Sequence, residues 1–136
     1  MKKVYETKIK TLPGTNYSEI YPSAWSLYKK IASRTKRRPY VRSAFFSREK
    51  IFLDYFWSHI RQKNLRDRTR RLRFYACALD LICNSRIAPI SSKETNKSSE
   101  IFHRFSGITK EKQEFHVHIK VDVSRNEKHF ISVFPE

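Results

Sequence analysis

Between Glu114 and Val123 apolar and polar residues alternate strictly, Glu-Phe-His-Val-His-Ile-Lys-Val-Asp-Val. Side chains alternate across a strand, so Phe115, Val117, Ile119, Val121 and Val123 share one face and His116, His118, Lys120 and Asp122 the other. Two imidazoles and an ammonium in a row match the needs of metal-independent RNA cleavage. The 2′-hydroxyl must lose a proton as it attacks phosphorus, the leaving 5′-oxygen must gain one, and the phosphorane between them gathers negative charge. Histidine, with an ordinary pKa of about 6.5, suits both proton transfers, and Lys or Arg suits the charge. Neighbouring cations depress an imidazole's pKa and favour the neutral form that acts as a base.

The flanking strands add His103 or Arg104 on one side and Ser132 or His129 on the other. Both carry apolar residues on both parities, so the sequence leaves open which of each pair joins the row. Two other readings of the strand stand beside the chemical one. Alternating polar residues are the ordinary solvated face of an antiparallel strand. His116-Val117-His118 also has the i, i+2 spacing by which one strand offers two metal ligands, with His103, His129, Asp122 or Glu114 as a third, but no Cys pair or His-Glu motif supports it. The expectation is therefore no metal and no cofactor.

A second chemistry-bearing feature is cationic. Arg61, Lys63, Arg66, Arg68, Arg70, Arg71 and Arg73 crowd one helical stretch in which Asp67 is the sole acid. Spaced three and four apart, they repel one another unless a polyanion neutralises them. With Lys36, Arg37 and Arg38 they form the expected nucleic-acid-binding surface, whose affinity falls with salt. Tyr40, Phe45 and Phe46 nearby serve either base stacking or the core.

The elements that must position these groups follow from periodicity. Lys2–Ile9 reads as a short edge strand ending at the Pro13-Gly14 turn. A short helix fits Tyr21–Ile31, with Pro22 in its first turn. Ser33–Pro39 is a basic loop. Ser47 is the expected N-cap of a helix through Ile51, Phe52, Phe56, Trp57 and Ile60, apolar nearly all round and so buried between layers. A second long helix spans Leu65–Asn84, charged in its first half and apolar in its second. Pro89 and Ser-Ser-Lys-Glu-Thr-Asn-Lys-Ser-Ser mark residues 87–100 as a mobile connector. Beyond it the period switches to two, giving strands at Ile101–Ser106, Glu114–Val123 and His129–Phe134, joined by turns at Gly107 and at Ser124–Glu127. The expected core holds Phe52, Phe56, Trp57, Leu72, Tyr75, Leu79 and Ile82.

Composition bounds the rest. The chain has 136 residues, a single-domain length, with 1–86 mainly helical and 101–136 an antiparallel meander. Lys and Arg number 29 against 13 Asp and Glu, a net charge of +16, which calls for a polyanionic partner, a membrane surface or a reason to tolerate the self-repulsion. Hydrophobic residues at 39% and aromatics at 14% suffice for a core, and only two glycines argue against long flexible linkers. No apolar run approaches a membrane span, and Met1–Glu6 has no apolar leader, so the expected location is intracellular, in the cytoplasm. Cys77 and Cys83 lie about 9 Å apart along a helix and are expected as free, buried thiols.

The stretch His103–Pro135, with its His-Arg-Phe, the strand Phe-His-Val-His-Ile-Lys and the closing Ser-Val-Phe-Pro, resembles phage and mobile-element proteins of the barnase, EndoU, colicin and RelE type of ribonuclease fold. Upstream Arg-Pro-Tyr-Val-Arg-Ser-Ala-Phe-Phe and residues 68–89 look like the helical part of such proteins. The resemblance implies an α+β fold, a helical N-terminal layer on a small curved antiparallel sheet, with RNA cleaved on the sheet face. It implies a toxin or an effector of a phage or mobile element. His103, Arg104, Lys120 and Ser132 match its pattern, whereas His118 stands where an amide such as Gln is expected. The expected catalytic set is His103 and His116 for proton transfer, Arg104 and Lys120 for charge, and Ser132 as a supporting partner. RNA is the expected partner, with an acidic antitoxin or immunity protein as a further one. A non-catalytic nucleic-acid-binding protein of a mobile element, or a cationic face that docks an acidic protein, are the alternatives.

Overall fold

A computed structural model describes residues 3–94 and 97–136. Among the described residues the fold is α+β: four helices packed against one curled sheet of seven strands. In chain order the elements are β1 (Tyr5–Glu6), α1 (Tyr17–Arg34), β2 (Tyr40–Arg42), β3 (Lys50–Phe52), α2 (Asp54–Ile60), α3 (Leu65–Leu72), α4 (Tyr75–Asn84), β4 (Ile90–Glu94), β5 (Lys97–Ile108), β6 (Glu114–Asp122) and β7 (Glu127–Pro135). The sheet runs β1-β5-β6-β7-β3-β2, with β4 also paired to β5. The meander β4-β5-β6-β7 is antiparallel, but β1 joins β5 and β3 joins β7 in parallel, so the sheet is mixed where a purely antiparallel one was expected.

Several helix boundaries differ from the periodic reading, each for a local reason. Asn16 caps α1 by accepting from the Glu19 N–H at 3.1 Å, so the helix starts at Tyr17, four residues before the expected start at Tyr21, and takes Pro22 into its interior. Ser47 caps no helix: it and Arg48 adopt positive φ (55° and 68°) in a tight turn that returns the chain as β3 beside β2. The apolar run Ile51-Phe52-Leu53 is too short to tell strand from buried helix by period alone. The stretch Leu65–Asn84 breaks into α3 and α4 at Arg73-Phe74, where the Arg73 carbonyl accepts from the Leu12 N–H at 2.9 Å. The expected connector 87–100 is largely strand, β4 and the start of β5, while residues 95 and 96 lie outside the described residues.

The core forms where the helices meet the Phe115, Val117, Ile119 and Val121 face of β6. Phe56, Trp57, Leu72, Tyr75, Leu79 and Ile82 are all buried in it, whereas Phe52 is half-buried beneath the Arg38 guanidinium, 4.4 Å from its ring. Cys77 is buried and Cys83 half-buried, both free thiols, and burial pushes the Cys77 thiol up to about 11. Among the described residues no helix is long and apolar enough to cross a membrane.

Gly107 lies within β5 and not in a turn; the reversal falls at Thr109–Gln113, with Lys112 at φ 69°. Glycine is required at 107 by close approach: a Cβ there sits 2.7 Å from the Phe115 ring tip and 2.9 Å from a Leu81 methyl. Both neighbours are buried and have no room to yield. Gly107→Ala is therefore expected to cost about 1–3 kcal/mol as overpacking. Its check is the urea midpoint, and an unchanged midpoint overturns this account of the glycine.

Candidate nucleic-acid-cleaving site

Strand register sorts the candidate residues. Arg104 on β5 pairs with His118 on β6, and His118 with Ser132 on β7, giving one row across three strands. The adjoining rows are Ser106-His116-Phe134 and Phe102-Lys120-His129. Ser132 and His129 have opposite parity yet share this face, because the register shifts between His118 and Ile119 and leaves Ile131 as an extra residue on β7. A bulge of this kind re-aims the side chains beyond it.

His103 pairs with Ile119 and so lies on the opposite face. Its Nδ1 is 2.7 Å from the Ser91 hydroxyl and its ring lies 5.1 Å from that of Phe46. Of the expected catalytic set, the sheet thus brings together Arg104, His116, Lys120 and Ser132, but not His103. His116 is buried with both ring nitrogens engaged, Nδ1 with Ser106 at 3.0 Å and Nε2 with Glu136 at 3.1 Å. Lys120 forms a 2.9 Å ion pair with Glu100, and its ammonium lies 5.4 Å from the centre of the Tyr55 ring. Arg104 is exposed.

Helical residues complete the site. β3 pairs only with Lys128 and His129 of β7, so the Ile131–Pro135 half of β7 has no described strand on that side, and α2 and α3 pack on β7 instead. Their corner contributes His59, Lys63 and Arg71 to a pocket of about 310 Å³ that also holds His118, Ser132 and Phe134. Asn64 caps α3 through the Asp67 N–H, at 2.9 Å, and Arg71 extends over Phe134, 5.6 Å from its centre. Asp67 bridges Arg70 at 3.0 Å and Arg71 at 3.1 Å. Burial alone raises its carboxyl, but the two guanidiniums hold it below the usual carboxylate range.

The electrostatics of the pocket are one-sided. Burial lowers the His118 pKa, and Arg104, His116 and Arg71 lower it further. Burial likewise lowers that of His59, helped by Lys120 and Lys63. Both imidazoles are thereby biased toward the neutral form at neutral pH. His129, buried against the Tyr55 ring at 4.0 Å, is lowered by burial and by Arg38, against the pull of Glu127 and Asp54. Among the described residues no three His, Cys, Asp or Glu side chains group as a metal site.

Of the expected nucleic-acid-binding residues, Lys63 and Arg71 line this pocket and Arg66, Arg70 and Arg73 line a different groove. Arg68 folds back onto the carbonyls of Lys63 and Arg61, at 2.8 Å each, holding the α2–α3 corner in shape. Arg38 pairs with Asp54 at 3.3 Å and Glu127 at 3.5 Å. His59 escaped the sequence reading; its one local signal is an imidazole near the end of a helical run that also carries Asp54 and Ser58. No family model, curated protein or solved structure matches the chain.

Proposed function

We propose that the protein is a metal-independent endoribonuclease that cleaves by 2′-hydroxyl attack at the His118 pocket. The observation that carries this reading is the presence in one small pocket of two imidazoles, His118 and His59, with Lys63, Arg71 and Ser132, and with Arg104 beside His118 in the strand row. One neutral imidazole takes the 2′-hydroxyl proton as O2′ bonds to phosphorus. The other, protonated, gives its proton to the 5′-oxygen as the P–O5′ bond breaks, leaving a 2′,3′-cyclic phosphate and a 5′-hydroxyl. Lys63, Arg71 and Arg104 offset the charge that develops on the phosphorane, and Ser132 donates a hydrogen bond to a non-bridging oxygen. His116, with both ring nitrogens engaged by Ser106 and Glu136, is assigned no proton transfer. A toxin or an effector of a phage or mobile element, with an acidic antitoxin as counterpart, is the setting this activity fits.

The test is incubation with single-stranded RNA in EDTA. Cyclic-phosphate ends are expected, and none from 2′-O-methyl RNA. The rate has a bell-shaped pH dependence: it needs one imidazole neutral and one charged, and both have lowered pKa values, so kcat/KM is expected to peak below about pH 6.5. RNA bound but uncut in EDTA defeats the proposal, and RNA still uncut in added divalent metal leaves a non-catalytic nucleic-acid-binding protein.

A further inference from the structure

Helix α3 is a partition between two basic surfaces. Residues three and four apart share a helix face, so Arg66, Arg70 and Arg73 fall on one side while Arg71 reaches the His118 pocket on the other. The first side, with the start of α1, forms a groove of about 640 Å³ whose lining includes Tyr17, Leu65, Thr69 and those three arginines. Acids are scarce there. Asp67 pairs with Arg70 and Arg71, and the Glu19 carboxylate at the α1 end accepts from the Thr15 hydroxyl at 3.1 Å. Arg66 and Arg73 have no carboxylate partner among the described residues. Apolar surface is present as well. Leu65 is 58% exposed, and Tyr17 begins an aromatic series along α1, 5.2 Å from Tyr21, which stacks on Trp25 at 6.0 Å.

Uncompensated guanidiniums beside an aromatic ring are what a nucleotide needs, a phosphate partner and a surface for its base. We propose that this groove is a nucleotide-binding subsite for the same RNA strand that enters the His118 pocket, the strand crossing α3, about 10 Å wide, between them. The inference rests on the ribonuclease reading for the identity of the strand. Arg66, Arg70 and Arg73 hold its phosphates, and Tyr17 and Leu65 take a base. The groove thus lengthens the substrate from the scissile dinucleotide to a segment of several nucleotides.

The experiment is a salt titration of binding, using a labelled single-stranded 2′-O-methyl oligonucleotide that no 2′-hydroxyl attack can cleave. Each phosphate contact contributes about 0.7 to the slope of log K against log salt on a single strand. Arg66→Ala with Arg73→Ala is expected to reduce that slope by about 1.4, and exposed Arg66→Ala alone, which leaves the packing untouched, by about 0.7. Tyr17→Leu is expected to weaken binding about tenfold at constant slope, from lost stacking. An unchanged slope in both arginine variants overturns the proposal. So does polyglutamate of matched charge competing as well as RNA while Tyr17→Leu costs nothing, which makes the groove a dock for an acidic protein. The slope loss without any cleavage of ordinary RNA supports the subsite and defeats the ribonuclease reading alone.

Discussion

Replacing His118 by alanine is expected to lower kcat/KM for RNA cleavage by about 10²–10⁴, the usual worth of a positioned proton-transfer group. The argument rests on placement. His118 is the imidazole at the centre of the Arg104-His118-Ser132 row, and it lines the pocket that His59, Lys63 and Arg71 complete. Burial and the cations Arg104 and Arg71 lower its pKa and so favour the neutral ring that a base requires. His118→Gln is the sharper variant. An amide retains hydrogen bonding at that position but neither takes up nor releases a proton at accessible pH, so the loss is expected to match that of alanine. A glutamine variant with more than a tenth of the parent rate returns the chemistry to other residues. His103→Ala separates the two faces of the sheet. His103 lies against Phe46 and Ser91, away from the row, and a rate loss there as large as at His118 defeats the assignment.

How much of this site was legible follows from the pleat. The alternation in residues 115–122 is strict, and the structure buries one parity and gathers His116, His118 and Lys120 on the other. Parity alone could not choose between His103 and Arg104, because Phe102 and Phe105 make β5 apolar on both faces; only the pairing with β6 decides for Arg104. On β7 the sequence posed Ser132 and His129 as alternatives, and the extra residue at Ile131 brings both to the one face. A bulge is set by packing of neighbouring strands and leaves no composition signal here. The helical half was legible in kind but not in boundary. Ile51-Phe52-Leu53 fits a buried helix as well as a strand, and its pairing with both β2 and β7 is a contact across distant sequence. The same holds for the break at Arg73-Phe74, which exists because Leu12, sixty-one residues earlier, takes the Arg73 carbonyl. His59 was missed for the most general reason: its role comes from the α2–α3 corner packing beside an open stretch of β7, which no local pattern encodes.

Phe56→Ala is expected to be the most destabilising single change, costing about 3–5 kcal/mol. Phe56 is 1% exposed and joins three elements: its ring stacks on Phe130 of β7 at 4.8 Å and 5°, tilts against Tyr75 of α4 at 5.1 Å, and meets Trp57 edge-on at 5.3 Å. Truncation removes the apolar contact and leaves a cavity whose walls are themselves large aromatic rings, which collapse poorly. Against a total stability of about 5–15 kcal/mol, that loss leaves a small domain marginal. The consequence for the pocket is direct. Helix α2 has seven residues, too few to stand without tertiary packing, and it carries His59 one turn beyond Phe56. RNA cleavage is therefore expected to fail in Phe56→Ala at temperatures below its global unfolding, as α2 loosens from β7 first. Phe56→Leu, which keeps most of the volume, is expected to lose less than half as much and to retain the pocket. Urea midpoints at constant slope report the stability, and the temperature dependence of cleavage reports the pocket. A loss under about 1.5 kcal/mol for Phe56→Ala would mean the aromatic stack between α2 and β7 does not hold the helix in place.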